Sequence, residues 1–158
     1  MREYILDAHG GNFILNGGLC LLGELGIHDS KGIPTIVGPI LFSRVKFELK
    51  DMTPKNPGLL AQAGVKVAIQ TDEMSAVKYL PINAALAVRE GMPEEEALKA
   101  ITINAAEIIG VANRVGSLEV GKDADIVVFS GHPFDYRTVA DVVLVDGQVA
   151  YRREEEAA

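Results

Sequence analysis

The sequence is poor in the residues that mark several common function classes. It has one cysteine, Cys20, among 158 residues, which excludes an intrachain disulfide. Cys20 lies in an apolar run and reads as a small buried thiol, in keeping with a reducing compartment. No apolar stretch reaches the about 18 residues that a membrane helix needs. Met1-Arg2-Glu3-Tyr4 opens without the apolar region of a signal peptide, so the expected location is the cytoplasm. Basic residues number 15 against 22 acidic ones, a net charge of −7, and no basic stripe exists. Nucleic acid is therefore not an expected partner. There is no strand-linked GxGxxG, no GxSxG elbow around any serine, no internal repeat and no low-complexity segment.

What remains is ordinary globular composition, 48% hydrophobic and 23% charged. Tyr4 to Ala8 reads as a buried strand that reaches His9 and ends at Gly10-Gly11. Leu19 to Leu25 suits a helix face closed by Gly26. Ile33 to Val37 is a second strand, stopped by Gly38-Pro39. Pro57 to Ala63 predicts a short helix ending at Gly64. Val65 to Ile69 alternates like a third strand and runs into Gln70-Thr71-Asp72. Pro81 to Glu90 predicts a helix stopped by Gly91. A further helix opens at Pro93, taken as the first helical position, with three glutamates behind it, and runs to Ile109 before Gly110. This order predicts a parallel sheet with crossover helices over residues 1–110. Residues 111–123 read as a connection. Strands at Asp125–Phe129 and Val139–Val145, an Asp146-Gly147 hairpin turn and a return from Gln148 to Tyr151 make a small antiparallel element over 111–152. The charged run from Arg152 leads into a frayed tail at 153–158.

Asp72 is the first candidate for chemistry. It follows a strand at the sheet edge where parallel α/β folds bind ligands. A carboxylate there could bind a metal or take a proton from water, or it could simply cap the next segment. His9 holds the same kind of position after the first strand, as a metal ligand or as a structural histidine. His28 and His132 read as loop residues. Arg44, Lys46 and Lys50 read as a solvated basic face, or as contacts for an anionic substrate. Gly116 to Asp123 nearly matches a phosphate-binding GxxxxGK[ST] loop. However, its last position is an aspartate, which would repel phosphate, and a strand follows it instead of a helix.

Thr102-Ile103-Asn104-Ala105-Ala106, Gly110 and the run Gly116 to Val128 resemble the closing segment of metal-dependent amidohydrolases. Val145-Asp146-Gly147, Val149 and Tyr151 are similar to that family's final hairpin. Gly38-Pro39, Gly58-Leu59-Leu60, Gly64-Val65 and Thr71-Asp72 resemble its imidazolonepropionase-like branch. The resemblance implies a (β/α)₈ barrel with a small β-sandwich built from both chain ends. A complete barrel needs about 250 residues, so the expected fold is α/β: a partial TIM-like barrel of the last three βα units, plus C-terminal strands of the composite sandwich.

By the same resemblance, Asp72 matches the eighth-strand aspartate, a metal contact and the catalytic base. His9 matches the sixth-strand histidine ligand, although Gly10-Gly11 follow it where the family has glycine then threonine. The implied cofactor is a divalent metal, zinc first, which lowers the pKa of its water to about 7. The implied substrate is a small molecule with a C–N bond, such as a cyclic amide, and no residues are assigned to binding it. The family's HxH motif is absent, so the chain alone is expected to bind metal weakly and to be inactive. Open strand edges lead us to expect a homo-oligomer, or pairing with a missing N-terminal segment. The alternatives are a non-catalytic assembly module that keeps the fold and a small-molecule binding protein.

Overall fold

The computed structural model describes residues 15–16, 33–41, 53–71 and 74–154. A parallel sheet in the order β1-β2-β3 is built from β1 (Leu15–Asn16), β2 (Thr35–Val37) and β3 (Val67–Ile69). Thr35 pairs with Leu15 on one side and with Val67 on the other, and Val37 pairs with Ile69. The expected first strand at Tyr4–Ala8, the helix at Leu19–Leu25 and the tail from Glu155 lie outside the described residues. The alternation expected in the third strand does not hold. Val67, Ala68 and Ile69 are all buried, and only Lys66 before them turns out, to Glu107. A parallel strand covered on both faces leaves no solvent side for alternate residues.

Helix α1 (Asn56–Gln62) carries Leu60 into a cluster with Val37, Val65 and Val67. Beyond β3, a 3₁₀ turn at Met74–Tyr79 leads into α2 (Leu80–Arg89). A second cluster joins Ile40, Ile69 and Met92 to Ala84, Ala87, Ala97 and Ala100, and all four alanines are fully buried. Small side chains at these positions let α2 and α3 (Glu94–Ala100) approach closely. Pro93 is the residue flanking α3, with an extended ψ of 135°, and not the first helical residue.

The single helix expected from Pro93 to Ile109 is broken at Ile101-Thr102, and α4 (Ile103–Ile108) starts afresh. Ile101 N–H donates to Leu98 O and Thr102 N–H to Lys99 O, at 3.3 and 3.1 Å, bonds one residue tighter than an α-helix. The Thr102 hydroxyl also donates to Leu98 O at 2.7 Å, which satisfies the local carbonyl and frees the chain to turn.

The new direction brings Asn104 to the sheet. Lys66 O accepts from Thr35 N–H and Gln70 N–H donates to Val37 O, so 66, 68 and 70 face β2 and 67 faces away. The Asn104 amide donates to Val67 O at 3.0 Å in a buried bond. It thus occupies an outward carbonyl on an edge of the described sheet. Asn104→Ala should leave that carbonyl unpaired and cost about 1–3 kcal/mol. Urea denaturation measures this, and an unchanged midpoint would refute the assignment.

The C-terminal sheet runs in the order β4-β5-β6, with β4 (Ile126–Phe129), β5 (Ala140–Val145) and β6 (Gln148–Arg152) antiparallel. The expected hairpin is present. Asp146 and Gly147 both have positive φ, 51° and 75°, as a type I′ turn requires. Asp125 Oδ1 accepts from Asp146 N–H at 2.9 Å and braces the turn. No residue of these three strands is fully buried. Asp135 in the β4–β5 connection takes two bonds from the Arg137 guanidinium, at 3.0 and 2.6 Å, and one from Arg137 N–H at 3.0 Å.

These contacts hold the Asp135 carboxyl at about 2, below its ordinary 3.8. Because the folded pKa is the depressed one, the contribution is present above the ordinary value and is lost as pH falls through about 2. A carbon-detected NMR titration should find this low midpoint. Arg137→Ala should return it towards the ordinary value, and an unmoved midpoint would contradict the pairing.

Candidate active site at the carboxyl edge of the parallel sheet

All three parallel strands end on one edge. The register of Val37 with Ile69 sets the segment Gly38-Pro39-Ile40-Leu41 beside Gln70-Thr71 there. Gly38 backs directly onto the Gln70 backbone, and the Gly38–Pro39 peptide is cis. Thr71 is buried, and Asp72 is the next residue in the chain. Asp72 itself and His9 lie outside the described residues, as do Cys20, His28, Arg44, Lys46 and Lys50. The described strand β1 begins at Leu15, six residues past His9.

Asn83, on α2, is the polar group that organises this edge, and it is 1% exposed. Its Oδ1 accepts from Ile40 N–H at 3.0 Å and from Leu41 N–H at 2.9 Å. Its Nδ2 donates to Tyr79 O at 3.0 Å. Sequence reasoning passed over Asn83. The available signal was an asparagine inside the apolar run from Leu80 to Ala87, where an amide needs partners if it is buried.

His132 stands on an exposed loop, as expected. Its Nε2 meets Glu94 Oε1 at 3.0 Å, and its Nδ1 accepts from Phe134 N–H at 3.2 Å. Phe134 packs against the α2–α3 cluster, so this loop fastens the C-terminal sheet to the helical layer. The near-match to a phosphate loop closes on itself, because Lys122 Nζ meets Ser117 Oγ and Glu119.

A metal centre needs three or four ligands converging on one point. Among the described residues no group of three His, Cys, Asp or Glu could hold one. The described side chains therefore do not fit a metal centre by themselves. Among the described residues, too, no helix is long and apolar enough to cross a membrane.

Residues 6–151 match the model of the amidohydrolase family. The chain belongs to the amidohydrolase family. Within it the chain is a partial member of the imidazolonepropionase branch. It is 49% identical over 75 residues to the imidazolonepropionase of Geobacillus kaustophilus, a match covering 45% of this chain and 18% of that protein. It is 30% identical over 172 residues to a probable imidazolonepropionase of Xenopus tropicalis, covering 94% of this chain and 40% of that one. The crystal structure of an amidohydrolase from Thermotoga maritima superposes with a TM-score of 0.83 at 40% identity, over 89% of this chain and 37% of that chain. The chain thus spans well under half the length of these relatives, and its mixed α/β architecture is that of the amidohydrolase fold.

Proposed function

We propose that this chain is the C-terminal portion of a metal-dependent amidohydrolase that hydrolyses C–N bonds other than peptide bonds, cyclic amides among them. The observation that carries the reading is the parallel register, which ends β2 and β3 on one edge with Asp72 next in the chain after Thr71. In barrel enzymes that edge supplies the catalytic residues. In this reading residues 1–110 hold the last three βα units of a barrel, with β2 and β3 among their strands. Residues 111–152 form the C-terminal part of a small sandwich.

Asp72 acts as the base: its carboxylate takes a proton from the water that attacks the amide carbonyl and returns it to the departing nitrogen. His9 and Asp72 are the two metal-ligand candidates that the family resemblance supplies, where a centre needs at least three, so in this reading further ligands must join them. Zinc is the first choice of metal. The C-terminal sheet, which has no fully buried residue, supports assembly through a second copy or an N-terminal barrel segment.

The test joins this chain to the part of the Thermotoga maritima amidohydrolase that it does not match. Elemental mass spectrometry and a panel of cyclic amides are then applied to both forms. The joined protein should hold stoichiometric metal and turn over substrate, whereas the chain alone should do neither. Stoichiometric metal or turnover in the chain alone would overturn the reading.

A further inference from the structure

We propose that Asn83 is a positioning residue that ties the two loops flanking the candidate site into one unit. The proposal rests on the reading that this sheet edge is the active site. One loop follows β2, and its Ile40 and Leu41 amides both donate to Asn83 Oδ1, at 3.0 and 2.9 Å. The other follows β3. It contains Asp72 and closes with the 3₁₀ turn that ends at Tyr79, whose carbonyl accepts from Asn83 Nδ2 at 3.0 Å. A single side chain therefore bonds both the segment after β2 and the turn that leads into α2, from a position where water has no access.

The chemistry selects an amide. The side chain must present an oxygen that accepts two bonds and, at the same time, a nitrogen that donates one. Aspartate keeps the acceptor but turns a carboxylate oxygen towards the Tyr79 carbonyl. Leucine keeps the volume and loses every bond. The bond to Tyr79 O is local, four residues back along the chain, and by itself would only brace the start of α2. The bonds to Ile40 and Leu41 cross 43 and 42 residues and set the position of the neighbouring loop. If this edge is the active site, substrate would meet the ends of both strands, and their relative placement would decide whether the base meets the attacking water in line. A misplaced loop would affect turnover without removing any reacting group.

The experiment is amide hydrogen exchange on the whole 158-residue chain, comparing the native protein with Asn83→Asp and Asn83→Leu. In Asn83→Leu, exchange at Ile40 and Leu41 should accelerate about tenfold relative to the β3 amides, the scale of one lost buried bond. In Asn83→Asp, protection at Ile40 and Leu41 should persist while the turn at Met74–Tyr79 exchanges faster. That split separates a tie between loops from a mere core residue. Uniform acceleration across the sheet in both variants, or unchanged protection at Ile40 and Leu41 in the leucine variant, would overturn the proposal. Should Asn83→Leu fail to fold, the loop-by-loop difference in Asn83→Asp decides alone: a split supports the tie, and equal behaviour of the two loops refutes it. Exchange is read without metal or substrate, so an inactive joined protein would count against the active-site reading and not against the tie.

Discussion

Replacing Gly38 with alanine should destabilise the protein by about 3–5 kcal/mol, the sum of backbone strain and a clash that cannot relax. Gly38 has φ of +151°, a conformation L side chains rarely adopt. An added Cβ would sit 2.9 Å from the Gln70 carbonyl carbon and closer still to its oxygen. The obstacle is backbone. It is also fixed in place, because Gln70 N–H is bonded to Val37 O at 2.9 Å. Relief would require parting β2 from β3 where the two strands end, and with them the loops that Asn83 holds. Thermal denaturation should show a fall on the order of 10 °C. Gly64→Ala is the control. Gly64 also has positive φ, +82°, but its added Cβ would meet nothing within 4 Å, so the loss should be nearer about 1 kcal/mol. If the two variants melt together, the close approach at Gly38 is not what fixes this edge.

Where a segment's own residues decide its structure, the sequence is a good guide. The helices α1 and α2, each found one residue earlier than expected, the stop at Gly64 and the Asp146-Gly147 turn all follow from local rules: proline near a helix start, glycine after its end, a turn pair with positive φ. The failures have the opposite character. The break at Thr102 is invisible to periodicity, because Ile101 and Ile103 continue an acceptable helical pattern. It is set by a hydroxyl that bonds Leu98 O and by what the turn makes possible, Asn104 reaching Val67. β1 is a two-residue strand in a glycine-rich stretch, too short to carry an alternation signal. Ala68 is buried because a layer packs on each face of β3, a fact about neighbours and not about the strand.

The candidate site divides in the same way. Asp72 stands out as a candidate because a carboxylate after an apolar strand is a local pattern, though the residue itself lies outside the described residues. The Asn83 tie was not legible, since its partners at Ile40 and Leu41 lie 43 and 42 residues away.

The largest functional effect should come from Asp72. In the joined protein described above, Asp72→Asn should lower kcat by about 10²–10⁴-fold, the usual worth of a positioned general base. The amide keeps the size and most of the polarity of the carboxylate, so thermal stability should change little. It cannot accept a proton at any working pH. The proposed role as base requires an ionised Asp72, so the joined protein that keeps Asp72 should lose kcat/KM on the acid side. The asparagine variant should lose that limb and keep only a low, flatter profile. Metal content must be measured on the same samples. A variant that loses both metal and turnover would make Asp72 chiefly a ligand. One that keeps its metal and loses turnover along with the acid limb would make it the base. A variant retaining near-native kcat with an unaltered acid limb would exclude both roles and move the search to the loop after β2.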